Sequence, residues 1–248
     1  MIIFRNFRCF SHLNAPLAVF LFLSLSCGLS ENSLHVMAAS SLTEAFEEIA
    51  EEFEKETQFE ISLTIAGSAS LASQIEDGAK VDVVALADEE TMGRLAGTKR
   101  IEQESLKIFA TNYLVLATPL ENPGSIESIR DLKGSVSAIC APQVPCGKLS
   151  FQLATQENVD FNPSSFEPSV RSVRTKIELG EVDAGLIYIT DVNSRINFIY
   201  IDQSEQLKTS YPIASIQDGR VESKDFIEFV LSPSGQKILE KYGFGVPS

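Results

Sequence analysis

Leu34-His35-Val36-Met37-Ala38-Ala39-Ser40-Ser41-Leu42-Thr43-Glu44-Ala45-Phe46 is the stretch that decides the architecture. Its first six residues read as a buried strand. The period then changes: Leu42, Ala45, Phe46, Ile49 and Phe53 recur at i, i+3, i+4, i+7 and i+11, one face of a helix. A turn of small and hydroxylic residues joins the two. Ser41-x-x-Glu44 ahead of the apolar run predicts a capping box. Strand, small-residue turn and helix form the repeating unit of a covered parallel sheet, and such sheets bind ligands where strands end and helices begin.

The same alternation continues outward. Phe59 to Ile65 and Val81 to Leu86 read as strands, Leu71 to Ile75 as a short helix stopped by Gly78, and Glu89 to Leu95 as another helix. Leu106 to Thr118 holds one or two strands, and Gly134 to Cys140 is a strand. Pro142, Pro145 and Gly147 mark a loop before a helix over Lys148 to Thr155. Val170, Val173 and Ile177 share a helical face that ends at Gly180. Ala184 to Ile189, Phe198 to Ile201 and Tyr211 to Ile216 are strands, and Asp225 to Tyr242 is helical with a break at Ser232-Pro233-Ser234. The fold class is therefore α/β, with parallel sheets covered by helices.

The chain has 248 residues, 44 % apolar and 22 % charged, with a mean hydropathy of +0.06. These values exclude collagen, a disordered tail and a polytopic membrane protein. A net charge of −14 repels phosphate backbones, and there is no basic patch, so no nucleic-acid partner is expected. Residues 1–30 carry Arg5 and Arg8, no acidic residue, an apolar run from Ala15 to Leu25, and then small residues. That pattern predicts a secretory signal. Cleavage after Ser30 and lipid attachment at Cys27 are both open. Losing the two arginines leaves 18 basic against 34 acidic residues, a net −16. It also leaves His35 as the sole histidine, which excludes multi-histidine metal sites. Ser41, Ser68 and Ser70 are thus poor nucleophile candidates, with no G-x-S-x-G elbow and little base. Asp82, Asp88, Asp183 and Asp191 could serve a metal or acid–base chemistry, or simply end strands and cap helices.

Four turns share one chemistry: 38–44, 66–70, 144–147 and 168–170. Each opens a helix, leaves backbone N–H groups unpaired and sits at the positive end of a helix dipole. One alone is an ordinary cap; together they can hold an anion without Lys or Arg. A serine hydroxyl there can accept a capping N–H and donate to a ligand oxygen. Tyr188, in a buried strand, is either a core aromatic or such a donor. Cys140 and Cys146 flank a loop with two prolines, and the sequence leaves open a disulfide or two buried thiols.

These residues carry a family resemblance. Ala38 to Phe46 resembles the opening of the periplasmic molybdate-binding proteins of ABC importers. The likeness continues through Gly67-Ser68-Ala69-Ser70-Leu71-Ala72-Ser73-Gln74-Ile75, Gly78 to Val83, Ala87-Asp88, Asn112 to Leu116, Val144-Pro145-Cys146-Gly147, Ser169-Val170-Arg171 and Gly185 to Asp191. Tyr211-Pro212-Ile213-Ala214 and Lys241 to Phe244 complete it. The resemblance implies a two-lobed periplasmic-binding-protein fold of type II with the ligand in the cleft: lobe I from 31–113 and 210–248, lobe II from 114–209, and crossings near Tyr113–Val115 and Thr209–Tyr211. It implies that Ser41 and Ser68 donate from lobe I, Cys146 and Val170 through backbone N–H from lobe II, and Tyr188 through its hydroxyl. Three departures stand out: Cys146 where a small residue is usual, Gly67 for a common serine, and Thr190 for a glycine or serine.

The implied ligand is molybdate, with tungstate beside it, captured without a cofactor or direct protein–metal bond by an exported monomer, periplasmic or lipid-anchored, that docks on a membrane permease and its ATPase. The implied function is not enzymatic. Neutral donors suit a fully deprotonated tetrahedral dianion, whereas phosphate would need an acceptor for its proton. Sulfate differs chiefly in size, so a sulfate receptor of the same fold is the alternative, and an exported hydrolase a more distant one.

Overall fold

Alternating strands and helices build two separate five-stranded sheets. The computed structural model describes residues 32–247 apart from 161 and 203. The expected signal segment and Cys27 lie outside the described residues.

In the first sheet β1 (Ser33–Ala39) lies between β2 (Glu60–Ala66) and β3 (Val83–Ala85), parallel to both. Beyond β3, β10 (Thr209–Ser215) runs antiparallel to β3 and to β4 (Lys107–Asn112), giving the order β2-β1-β3-β10-β4. Side chains alternate across this sheet. Leu34, Val36, Ala38, Val83 and Ala85 enter one apolar layer with α1 (Thr43–Glu56), α6 (Ser223–Leu231) and α7 (Pro233–Lys241). Met37, Val84 and Leu86 enter the other with α2 (Ser68–Glu76) and α3 (Glu89–Gly97). Burial on both faces is why these strands read as continuous apolar runs. In the first layer Phe53 meets Phe226 edge-on, with ring centroids 5.2 Å apart.

The second sheet has the order β7-β6-β8-β5-β9. Here β6 (Ser137–Cys140) is parallel to β7 (Ser165–Glu167) and β8 (Ala184–Tyr188), while β5 (Leu114–Pro119) is antiparallel to β8 and β9 (Ile196–Ile199). Helices α4 (Pro145–Gln156) and α5 (Val170–Glu178) pack on it through Leu149, Leu153, Val173 and Ile177.

The structure corrects the expected parallel sheets: both are mixed. The cause is connectivity. The chain leaves the first sheet through β4, with Tyr113 alone before β5, and returns after β9 into β10. A strand arriving from the other sheet has its direction fixed by that crossing, which a buried apolar run does not encode. The two crossings are neighbours, because Asn112 pairs with Thr209. His35 is a fastener within the first sheet: its ring lies 2.7 Å from the Lys80 carbonyl oxygen and 2.8 Å from Thr64 Oγ1. Among the described residues no helix is long and apolar enough to cross a membrane.

Candidate functional site

Four helix starts converge where the two sheets face each other. One cavity is lined by Ala39, Ser40 and Ser41 after β1, by Gly67 and Ser68 after β2, by Val144, Pro145 and Cys146 after β6, and by Ser169 and Val170 after β7; Ala87 and Tyr188 complete it. All five residues expected to bind, Ser41, Ser68, Cys146, Val170 and Tyr188, therefore line one space. The space is tight: about 10 Å³ is open to the centre of a water-sized sphere, close to what one water needs. In this arrangement a solute the size of a sugar or amino acid does not fit. None of the lining residues is charged.

Backbone donors are left free in a consistent way. Val144 caps α4 without a side-chain hydrogen bond, and Gly67 does the same for α2. Pro145 occupies the first position of α4, where its missing N–H costs nothing. The first N–H of that helix is then Cys146's. This corrects the expected start at Lys148: Pro145 and Gly147 belong to the helix. A side chain at Gly147 would collide with the Ala141 carbonyl oxygen, only 2.0 Å from its Cβ position. Cys140 and Cys146 are disulfide-bonded, Cα to Cα 5.6 Å, tying the end of β6 to the start of α4. In α5, Ser169 caps through its side chain, accepting from the Ser172 N–H, and leaves the Val170 N–H at the cavity.

The side-chain donors are oriented by residues that the sequence reading did not place. Asn112 accepts the Tyr113 N–H at Oδ1, 2.9 Å away, which fixes its amide. Its Nδ2 donates to Thr190 Oγ1 at 2.8 Å and to the Tyr211 hydroxyl at 3.3 Å. Tyr211 in turn lies 2.8 Å from Ser41 Oγ. An acceptor toward Asn112, Tyr211 donates to Ser41, and the Ser41 O–H is then free to donate into the cavity. Ser68 follows the same logic: its Oγ accepts the Ala87 N–H at 3.0 Å, leaving the hydroxyl proton for a ligand. The expected Ser41–Glu44 capping box does not form. Ser41 sits inside a 3-10 turn, Ser40–Leu42, and α1 has no side-chain cap.

Tyr188 is 1 % exposed, and its hydroxyl has no hydrogen-bond partner among the described residues. Burial raises its phenol well above the usual range, and Tyr211, Asp88 and Asp191 add to the rise. It is an O–H donor at any physiological pH. A buried polar group left unsatisfied costs roughly 1–3 kcal/mol, so this hydroxyl marks a place for an acceptor.

Charges ring the cavity without entering it. On one side Glu44 of α1 meets Arg171 at 2.5 Å and Arg174 at 3.5 Å, both on α5. On the other, Lys148 of α4 meets Asp88 at 3.3 Å and Glu90 at 3.0 Å beside the start of α3. Both sets join a helix of one sheet to a helix of the other. Burial alone would raise the Glu44 carboxyl, but a backbone hydrogen bond and the two arginines hold it below the usual range. Asp191, 2 % exposed just after β8, keeps Oδ2 unpartnered. Burial pushes its carboxyl up to about 7 against the pull of Arg174 and Arg171, with Glu44 adding to the rise. The other aspartates serve as structure: Asp88 caps α3 by accepting the Thr91 N–H, Asp82 accepts from His35 and Arg220, and Asp183 from Val136. Among the described residues no three His, Cys, Asp or Glu side chains gather as a metal site.

Comparison with known proteins places this geometry. Residues 34–245 match the model of the bacterial extracellular solute-binding protein family. The molybdate-binding protein ModA of Mycobacterium tuberculosis is 32 % identical over 223 residues, 87 % of this chain and 85 % of that protein. The periplasmic molybdate-binding protein of Azotobacter vinelandii superposes with a TM-score of 0.73 at 20 % identity, over 87 % of this chain and all of that one. The sulfate-binding protein SubI of M. tuberculosis gives 0.74 at 15 % identity, covering 86 % of each, so the type II fold by itself does not name a ligand. The chain belongs to the bacterial extracellular solute-binding family and is ModA-like within it.

Proposed function

We propose that this solute-binding protein captures molybdate, and tungstate with it, and delivers the oxyanion to the membrane permease of an ABC importer. The observation that carries the reading is the buried, unpartnered Tyr188 hydroxyl at a small uncharged cavity where four helix starts meet. A tetrahedral dianion offers four acceptor oxygens and no proton. The Ser41, Ser68 and Tyr188 hydroxyls and the Cys146 and Val170 N–H groups supply donors only, which is the complement such an ion requires. Helix dipoles add favourable potential at short range, while the distant negative charge of the protein is screened over about 8–10 Å. A donor-only site disfavours phosphate, whose remaining proton would find no acceptor. Discrimination against sulfate rests on size.

Capture closes two lobes about the paired crossings at Asn112 and Thr209, a hinge motion. The protein acts as an exported monomer, free in the periplasm or held by a lipid on Cys27, and needs no cofactor. The reading favours binding over hydrolysis because Ser41 and Ser68 are engaged as oriented donors and His35 is tied to Thr64.

Calorimetric titration of the mature chain with molybdate, tungstate, sulfate and phosphate tests this. One-to-one binding of molybdate and tungstate at micromolar concentration or below, with sulfate and phosphate silent, is the expected result. Binding of sulfate alone would reassign the ligand, and a folded sample that binds no oxyanion would overturn the function.

A further inference from the structure

Gly67 is the cap residue of α2, with φ −64° and ψ 139°. That conformation is open to every residue, so the glycine is not there for backbone freedom. Space explains it. A Cβ at Gly67 would lie 2.3 Å from the Pro168 carbonyl oxygen, 3.4 Å from its carbon and 3.5 Å from Ser169 Cβ. Real Cβ contacts do not fall below 3.0 Å. Gly67 follows a strand of the first sheet and Pro168 follows a strand of the second, so the contact lies between lobes. The obstacle is main chain, and it cannot swing aside without carrying Ser169 and Val170, which line the cavity.

We propose that Gly67 is a specificity-determining position: its missing side chain sets how closely the two ligand-holding turns approach, and thereby the size of the anion cavity. The proposal rests on the oxyanion-receptor reading and deepens it. A methyl at this point acts as a wedge. It moves the donors of the second lobe, the Cys146 and Val170 N–H groups and the Tyr188 hydroxyl, away from an ion held by Ser41 and Ser68. Because all three recede together, the loss exceeds that of any one hydrogen bond. In a ligand-free protein with parted lobes the methyl meets nothing, so stability without ligand is preserved.

The test compares wild type, Gly67→Ala and Gly93→Ala by molybdate titration and by thermal unfolding with and without molybdate. Gly93 is the control, since a Cβ there has no neighbour within 4 Å. The expected result is that Gly67→Ala binds molybdate at least tenfold more weakly and keeps the wild-type ligand-free melting temperature, while Gly93→Ala binds as wild type does. Equal affinity of Gly67→Ala and wild type would overturn the proposal. So would a fall in the ligand-free melting temperature of Gly67→Ala, which would make Gly67 a packing residue of the fold. If wild type itself binds no molybdate, the functional reading fails first and takes the proposal with it; that outcome is distinct from a defect confined to the variant.

Discussion

The two lobes prepare the same cavity by different means. The first lobe presents hydroxyls whose polarity is set by neighbours: Asn112 and Tyr211 behind Ser41, the Ala87 N–H behind Ser68. Every polar atom in that relay has a partner. The second lobe presents main-chain N–H groups whose positions are set by helix geometry, by Pro145 and by the 140–146 disulfide. It also carries two buried polar atoms without partners, Tyr188 Oη and Asp191 Oδ2. The first lobe therefore depends on side-chain identity, whereas the second tolerates a cysteine and a valine because only their backbone faces the ligand. The lobe with unsatisfied groups is the one that gains most when the cleft is filled.

The largest effect expected from this contrast is on stability, at Asp191. Its carboxyl is raised to about 7 in the folded protein from an ordinary value of 3.8, a difference of ~4 kcal/mol. A raised carboxyl leaves stability intact below its unfolded pKa and removes it as pH climbs through the folded one. Wild type should lose stability relative to Asp191→Asn between about pH 4 and 7, read by urea unfolding across that range. Parallel pH profiles for the two proteins would show that the second lobe carries no such burden.

Ser41→Ala comes next. It removes a ligand donor, for ~1.5–3 kcal/mol of binding, and strands the Tyr211 hydroxyl, for ~1–3 kcal/mol of stability. Calorimetry and unfolding should both move; a change in stability alone would reduce Ser41 to a packing role. Tyr188→Phe should cost a similar ~1.5–3 kcal/mol of binding with no loss of ligand-free stability, because an unpartnered hydroxyl is deleted. If stability falls with binding, Tyr188 has a protein partner and the asymmetry between the lobes disappears.

The smallest effects separate backbone from side chain at Val170. Ser169 is extended at φ −156° and ψ 160°, a conformation that accepts a following proline, and the first helical position tolerates one. Val170→Pro should lose ~1.5 kcal/mol of binding with its N–H, while Val170→Ala should change affinity by less than ~0.5 kcal/mol. Equal losses in both variants would put the valine side chain in the site.

What was legible in the sequence follows from the range of the interactions involved. The four turns could be read because a helix start is written locally, in Ser40-Ser41, Gly67-Ser68, Pro145-Cys146 and Ser169-Val170. The Ser41–Tyr211 contact could not, since it joins residues 170 apart. That distant phenol also explains why the local capping box failed: Ser41 turned to Tyr211 instead of a backbone N–H. The three-residue edge strand β7 carries too little pattern to be seen, and Phe166 on it is half exposed. Strand direction, set by the two crossings, has no local signature. Gly67 looked like an unremarkable loop glycine, because its reason lies in the Pro168 carbonyl of the opposite lobe.

The ion pairs flanking the cavity bear on residence time. Glu44 with Arg171 and Arg174, and Lys148 with Asp88 and Glu90, link the lobes but do not line the cavity. Grip and gate are thus made of different materials. Added salt screens partly exposed charges and leaves short hydrogen bonds in a closed cavity almost untouched. Ionic strength therefore acts on the rate at which the cleft opens, and the same captured ion departs sooner from a protein whose hold on it is unchanged.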